Sequence, residues 1–221
     1  MQTFDTPAPV SAVVDVPAGH LTFVAADRTD TTVDVRPADA SRGRDVKAAE
    51  QTAVEYADGV LRVTGPDGRR TFGPSGSVEV TVQLPAGSGV EVTAASAPLR
   101  GVGRLGDVVV ETAHGDIKLD EAASARLATQ AGDVAVGRLT GDGVLSTAKG
   151  DLRVDEAVRG TLDLRTQAGD VTVGVASGVT ASLDAGTTLG RVRDEITNSG
   201  RDVQVAIRAT TTLGDVSAHS R

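Results

Sequence analysis

From residue 101 onward, hydrophobic and polar positions alternate in short runs, and each run follows the same punctuation, Thr-x-x-Gly-Asp. The copies read TAHGDIKL at 112–119, TQAGDVAV at 129–136, TAKGDLRV at 147–154 and TQAGDVTV at 166–173, with looser copies TTLGRVRD at 187–194 and TTLGDVSA at 211–218. Their glycines, at 115, 132, 150, 169, 190 and 214, are 17, 18, 19, 21 and 24 residues apart. Apolar residues at every second position mark half-buried strands. They stand after the corner as Ile117/Leu119, Val134/Val136, Leu152/Val154 and Val171/Val173, and before it as Val108/Val110, Leu127, Leu145, Leu162/Leu164, Leu183 and Ile207. Strand, Gly corner, strand and a second turn make one coil of about 18 residues, and coils stack their apolar columns as in a parallel β-solenoid. The second turns are expected at Asp120-Glu121, Gly137-Arg138, Asp155-Glu156 and Gly174.

The first hundred residues are strand-like without the corner. SAVVDVPAGHLTFVAA at 11–26 echoes VEVTVQLPAGSGVEVTAA at 78–95, and both read as strand, Pro-Ala-Gly turn, strand. VEYADGVLRV at 54–63 reads as a hairpin turned at Asp58-Gly59, residues 37–51 hold a short helix, and 65–77 form a Gly/Pro/Ser-rich loop carrying Arg69 and Arg70. Residues 1–100 are therefore expected to form N-terminal strands and hairpins continuous with, and capping, the solenoid of 101–221.

Composition narrows the picture. Val and Thr supply 33 and 25 of 221 residues, glycine 26, and aromatics only Phe4, Phe23, Phe72 and Tyr56. Such a chain fills its core with small aliphatic side chains, which suits thin β layers. No run approaches 18 apolar residues, and the opening MQTFDTPAPVSAVVDV has neither the basic nor the apolar region of a signal peptide, so no membrane span and a cytoplasmic chain are expected. With no cysteine, thiolate chemistry is excluded, and a formal charge of −8 argues against nucleic acid as a partner.

The order of these motifs resembles the DUF4097 family, whose members carry the labels putative adhesin and β-strand-repeat protein. The resemblance rests on Val14-Asp15-Val16-Pro17-Ala18-Gly19 and on the Gly-Asp corners at 115, 132, 150 and 169, and covers roughly residues 10–218. It implies an all-β, right-handed parallel β-helix, no established catalytic residues and, among relatives, a surface association.

Each corner residue has a structural use. Gly accommodates φ > 0, Thr hydrogen-bonds corner backbone, and Asp caps a turn. A column of Asp116, Asp133, Asp151 and Asp170 would alternatively hold cations. Carboxylates about 5 Å apart repel by roughly 0.8 kcal/mol in water and about 3.3 kcal/mol at an effective dielectric of 20, so the column must be solvated, capped or neutralised. Calcium-binding rolls carry a different repeat, and Arg191 interrupts the column, so capping is the expectation and no metal or cofactor is assigned.

Other motifs are weaker. Gly101-Val102-Gly103-Arg104-Leu105-Gly106 matches GxGxxG but leads into strand-like Asp107-Val108-Val109-Val110, whereas a dinucleotide site needs a helix there. His20, His114 and His219 have no metal-ligand or triad spacing. A glycan-active solenoid would want aromatic platforms, and 73–221 has none. The sequence therefore points to a non-enzymatic scaffold that binds a protein partner, or itself, through a solenoid face or end. The alternative is a bactofilin-like, end-to-end cytoplasmic polymer, suggested by a chain that stops just after its last corner.

Overall fold

The alternation of Val, Leu and Thr becomes strand almost throughout the computed structural model, which describes residues 1–66, 76–198, 200 and 202–221. Two units, Met1–Gly115 and Asp116–Arg221, are described in turn.

The first unit contains β1 (Gln2–Asp5), β2 (Ser11–Ala26), β3 (Asp30–Pro37), α1 (Gly43–Gln51), β4 (Ala53–Ala57), β5 (Val60–Thr64), β6 (Val78–Pro85), β7 (Gly89–Ser96) and β8 (Leu99–His114). Residues 11–18 of β2 lie between β5 and β7, and residues 19–26 lie between β6 and β8, all parallel. The predicted turn at Pro17-Ala18-Gly19 is therefore not a chain reversal: β2 runs through it as one 16-residue strand. Its glycine serves close approach, since a Cβ at Gly19 would lie 2.3 Å from the Val78 carbonyl oxygen. The matching Gly87, at φ +81°, does turn the chain between β6 and β7.

At one end of this unit antiparallel strands cover the parallel ones, β3 on β6 with β1 on β3, and β4 on β5. The β4–β5 hairpin turns at Asp58 (φ +52°) and Gly59 (φ +77°), a two-residue turn whose twist matches paired strands. Phe4 and Tyr56 stack there with ring centroids 5.3 Å apart. The short helix forms as expected and is pinned by Asp45, 3% exposed, whose carboxylate accepts the Ser77 N–H at 3.0 Å.

The second unit contains β9 (Ile117–Ala128), β10 (Val134–Leu139), β11 (Gly143–Lys149), β12 (Leu152–Ala157), β13 (Gly160–Ala168), β14 (Val171–Val175), β15 (Ala181–Leu189), β16 (Val192–Glu195), β17 (Val205–Leu213) and β18 (Val216–Ser220). All its ladders are parallel and form two faces: β9–β10–β12–β14–β18–β16 and β9–β11–β13–β17–β15. Inward columns follow from the register: Ile117, Val134, Leu152, Val171, Val216 and Val192 in one, Leu127, Leu145, Leu164, Ala209 and Ala185 in another. Full burial of such side chains stabilises by about 1.5–3 kcal/mol each, which makes these columns the main support of an aromatic-free core.

Two expectations need correction. The second turn of each coil falls later than Asp120-Glu121 and its equivalents, because a further column, Ala122, Leu139 and Ala157, is fully buried and prolongs the strands. The stacking order also departs from chain order: the last coil, β17 and β18, lies between the coil of β13 and β14 and the coil of β15 and β16. The C-terminal strands are thus paired on both sides, and at this end of the stack β15 and β16 are outermost among the described residues. The C-terminal strands β17 and β18, whose position at the chain's end suggested a free edge, are interior to the stack.

Candidate functional site

The Thr-x-x-Gly-Asp corners are the most repetitive chemistry in the chain, and the second unit brings their carboxylates into one column. Asp116 Oδ1 accepts the Asp133 N–H (2.9 Å), Asp133 that of Asp151 (2.8 Å), and Asp151 that of Asp170 (2.7 Å). The ladder continues from Asp170 to the Asp215 N–H (2.7 Å) and from Asp215 to the Arg191 N–H (2.9 Å). Asp215 was not in the sequence-derived column, because the copy at 211–218 follows the arginine copy in the chain but precedes it in space. Arg191 consequently ends the ladder rather than interrupting it.

The threonines form a second ladder. Hydroxyls of Thr147, Thr166, Thr211 and Thr187 donate to the carbonyls of Gly132, Gly150, Gly169 and Gly214 at 3.2, 3.0, 2.9 and 2.9 Å. Between the ladders sits the glycine. Gly169 has φ +149°, and a Cβ there would lie 2.0 Å from the Gly150 carbonyl oxygen. From the copy at 147 onward each threonine is thereby used on the neighbouring corner's backbone, whereas Thr112 and Thr129 bond carbonyls of their own corners, those of His114 and Ala131. Each carboxylate receives an N–H from the next rung, which offsets repulsion along the exposed column. Sequence reading missed a comparable contact on the opposite turn, where Asp142 Oδ1 accepts the Thr161 N–H at 2.8 Å.

The remaining sequence candidates are dispersed. His20 projects from β2 in register with Glu79, His114 ends β8, and His219 lies on β18 in register with Gly174 and Glu195. Among the described residues, no group of three or more His, Cys, Asp or Glu is gathered as a metal ion would need. The GxGxxG segment lies inside β8, with no helix after it, and Gly106 is required because a Cβ would lie 2.5 Å from the Gly87 carbonyl oxygen. Arg69 and Arg70 lie outside the described residues. An open cup of about 300 Å³ on the outer face of β3 and β6 is lined by Asp34, Arg36, Glu79 and Gln83 among others, with Asp34 already paired to Arg36 at 2.6 Å. Nearby, the Arg28 guanidinium holds the Asp30 carboxyl below the usual carboxylate range.

The outer faces differ in charge. On the second unit, charges pair off: Arg138 with Glu156 (2.9 Å), Arg165 with Asp163 (2.6 Å) and Arg208 with Asp184 (3.3 Å). On the first unit, the face of β5, β2, β7 and β8 sets Asp15 beside Thr93 and Thr93 beside Glu111, with Glu91 and Arg62 flanking Val13 on the neighbouring outward positions.

The sequence profile described as Toastrack DUF4097 matches residues 14–221. Among solved structures, a putative adhesin from Bacteroides fragilis is similar, with TM-score 0.58 and 12% identity over 98% of this chain and 95% of that one. A putative cell adhesion protein from Clostridium sporogenes matches with TM-score 0.41 and 11% identity over 100% and 98% of the two chains. A putative adhesin from Parabacteroides distasonis matches with TM-score 0.45 and 14% identity over 98% and 95%. No curated protein matches the chain.

Proposed function

The chain belongs to the Toastrack DUF4097 family, and from that premise we propose that it is a non-catalytic, adhesin-like scaffold that presents a flat β face to a protein partner. The observation that carries this reading is the use of the repeat itself: the threonines, glycines and carboxylates that recur are spent on corner backbone. What remains for recognition is the outward grid of side chains. The grid around Asp15, Glu91 and Glu111 favours a partner with a basic surface, because like-signed charges steer a complementary one and repel others. We also infer right-handed winding of the coils, by the general rule for parallel strand crossovers. The adhesin name of its Bacteroides fragilis neighbour favours a setting at the cell surface, and fractionation of cells tests it.

The test is affinity capture with the parent chain and with a variant carrying Asp15→Lys, Glu91→Lys and Glu111→Lys. A protein retained by the parent and lost by the variant supports the reading. Equal capture by both, or turnover of a glycan by the purified chain, contradicts it.

A further inference from the structure

The outermost coil of the second unit breaks the pattern at each place where another rung would attach. Among the described residues, its strands β15 and β16 each pair with a single neighbouring strand, β17 and β18 respectively, which leaves their far edges open to another strand. An open parallel edge with apolar columns behind it is a template for another strand, and proteins that stay discrete blunt such edges with inward-pointing charge.

Three separate observations show that blunting here. The column Leu119, Val136, Val154, Val173 and Ala218, at most 2% exposed, ends in Asp194 on β16. A further rung would have to bury this carboxylate. The corner ladder ends in Arg191, whose side chain offers no oxygen to the next rung's N–H, whereas each of the five preceding corners offers a carboxylate. Finally, the side chain of Asn198 closes the start of the edge, accepting the Ala181 N–H at 2.8 Å and donating to the Ala181 carbonyl at 3.0 Å.

We propose that the Ala181–Glu195 coil is an end stop, a rung whose inward charge, missing corner carboxylate and amide-capped first residue keep a second copy of this chain from pairing with the open edge of β15 and β16. Behind the stop lie Val192 (46% exposed) and Leu189 (65% exposed), the apolar surface a second copy would cover.

Because the chain has no cysteine, a pyrene attached at Ser182→Cys, on exposed β15, reports approach of two edges by excimer emission. The parent is expected to give none. Asp194→Val, alone and with Asn198→Ala, should produce excimer emission and tighten the dissociation constant between copies at least ten-fold, corresponding to about 1.4 kcal/mol of association, with mass by light scattering at least doubling. If Asp194→Val loses its strand signal, Asp194→Asn takes its place, removing the charge without the shape: a smaller rise supports the end stop and no rise overturns it. Excimer emission from the parent also overturns it, as does its absence from folded Asp194→Val.

Discussion

Two hexapeptides in this chain differ at one position and have different fates. Thr211-Thr212-Leu213-Gly214-Asp215-Val216 forms an interior corner with a rung on each side, and Val216 is fully buried. Thr187-Thr188-Leu189-Gly190-Arg191-Val192 forms the outermost corner, and Val192, on the same column, is 46% exposed. The Thr and Gly work alike in both, with Thr211 and Thr187 each bonding a neighbouring glycine carbonyl at 2.9 Å. The difference is the seventh rung that never comes. Local sequence builds the corner, and position in the stack decides how much each residue contributes.

That contrast can be broken most forcefully on the inward column shared by Ala218 and Asp194. Ala218→Asp places in the buried interior the charge that the end tolerates, and should cost about 3–5 kcal/mol in urea unfolding, while Asp194→Ala stays within about 0.5 kcal/mol. Similar costs for the two would remove the distinction between interior and end.

A smaller but still large loss is expected at the glycines. Gly150→Val, at φ +145° and with a Cβ 2.1 Å from the Gly132 carbonyl oxygen, should cost about 3 kcal/mol or more in thermal unfolding. Gly190→Val meets a similar obstruction, 1.8 Å from the Gly214 oxygen, but its rung is outermost and can shift, so its cost should be visibly lower. Unchanged stability of Gly150→Val would sink the corner assignment.

Weaker still are the ladder carboxylates. Asp151→Ala should cost about 1 kcal/mol by removing one acceptor, and Asp151→Asn less, because the amide oxygen can still take the Asp170 N–H. A melting shift with calcium that vanishes in Asp151→Asn would instead favour the cation column. Smallest of all, Arg191→Asp should move the unfolding midpoint by no more than about 0.5 kcal/mol, since no rung lies beyond it to use the new acceptor.

Much of this was legible from residue types. The alternation at 117–119, 134–136, 152–154 and 171–173 placed strands correctly, and Asp58-Gly59 marked its hairpin, because period and turn chemistry are local properties. Pro17-Ala18-Gly19 misled because the same tripeptide turns the chain at 85–87 but is held extended at 17–19 by parallel partners on both flanks. The position of Arg191 was not legible at all. It depends on the last coil entering between two earlier ones, a choice made by long-range pairing that corner spacing does not encode. For the same reason the carboxylate column read from sequence stopped at Asp170, although Asp215 carries the motif.

The central claim is that the recurring aspartates hold the next corner's backbone, and residue-resolved amide hydrogen exchange on the parent and on Asp151→Ala tests it most directly. The ladder predicts that the Asp170 amide loses its protection in the variant while the Asp133 amide, held by Asp116, keeps its own. Undiminished protection at Asp170, or an equal loss at both amides, would contradict it.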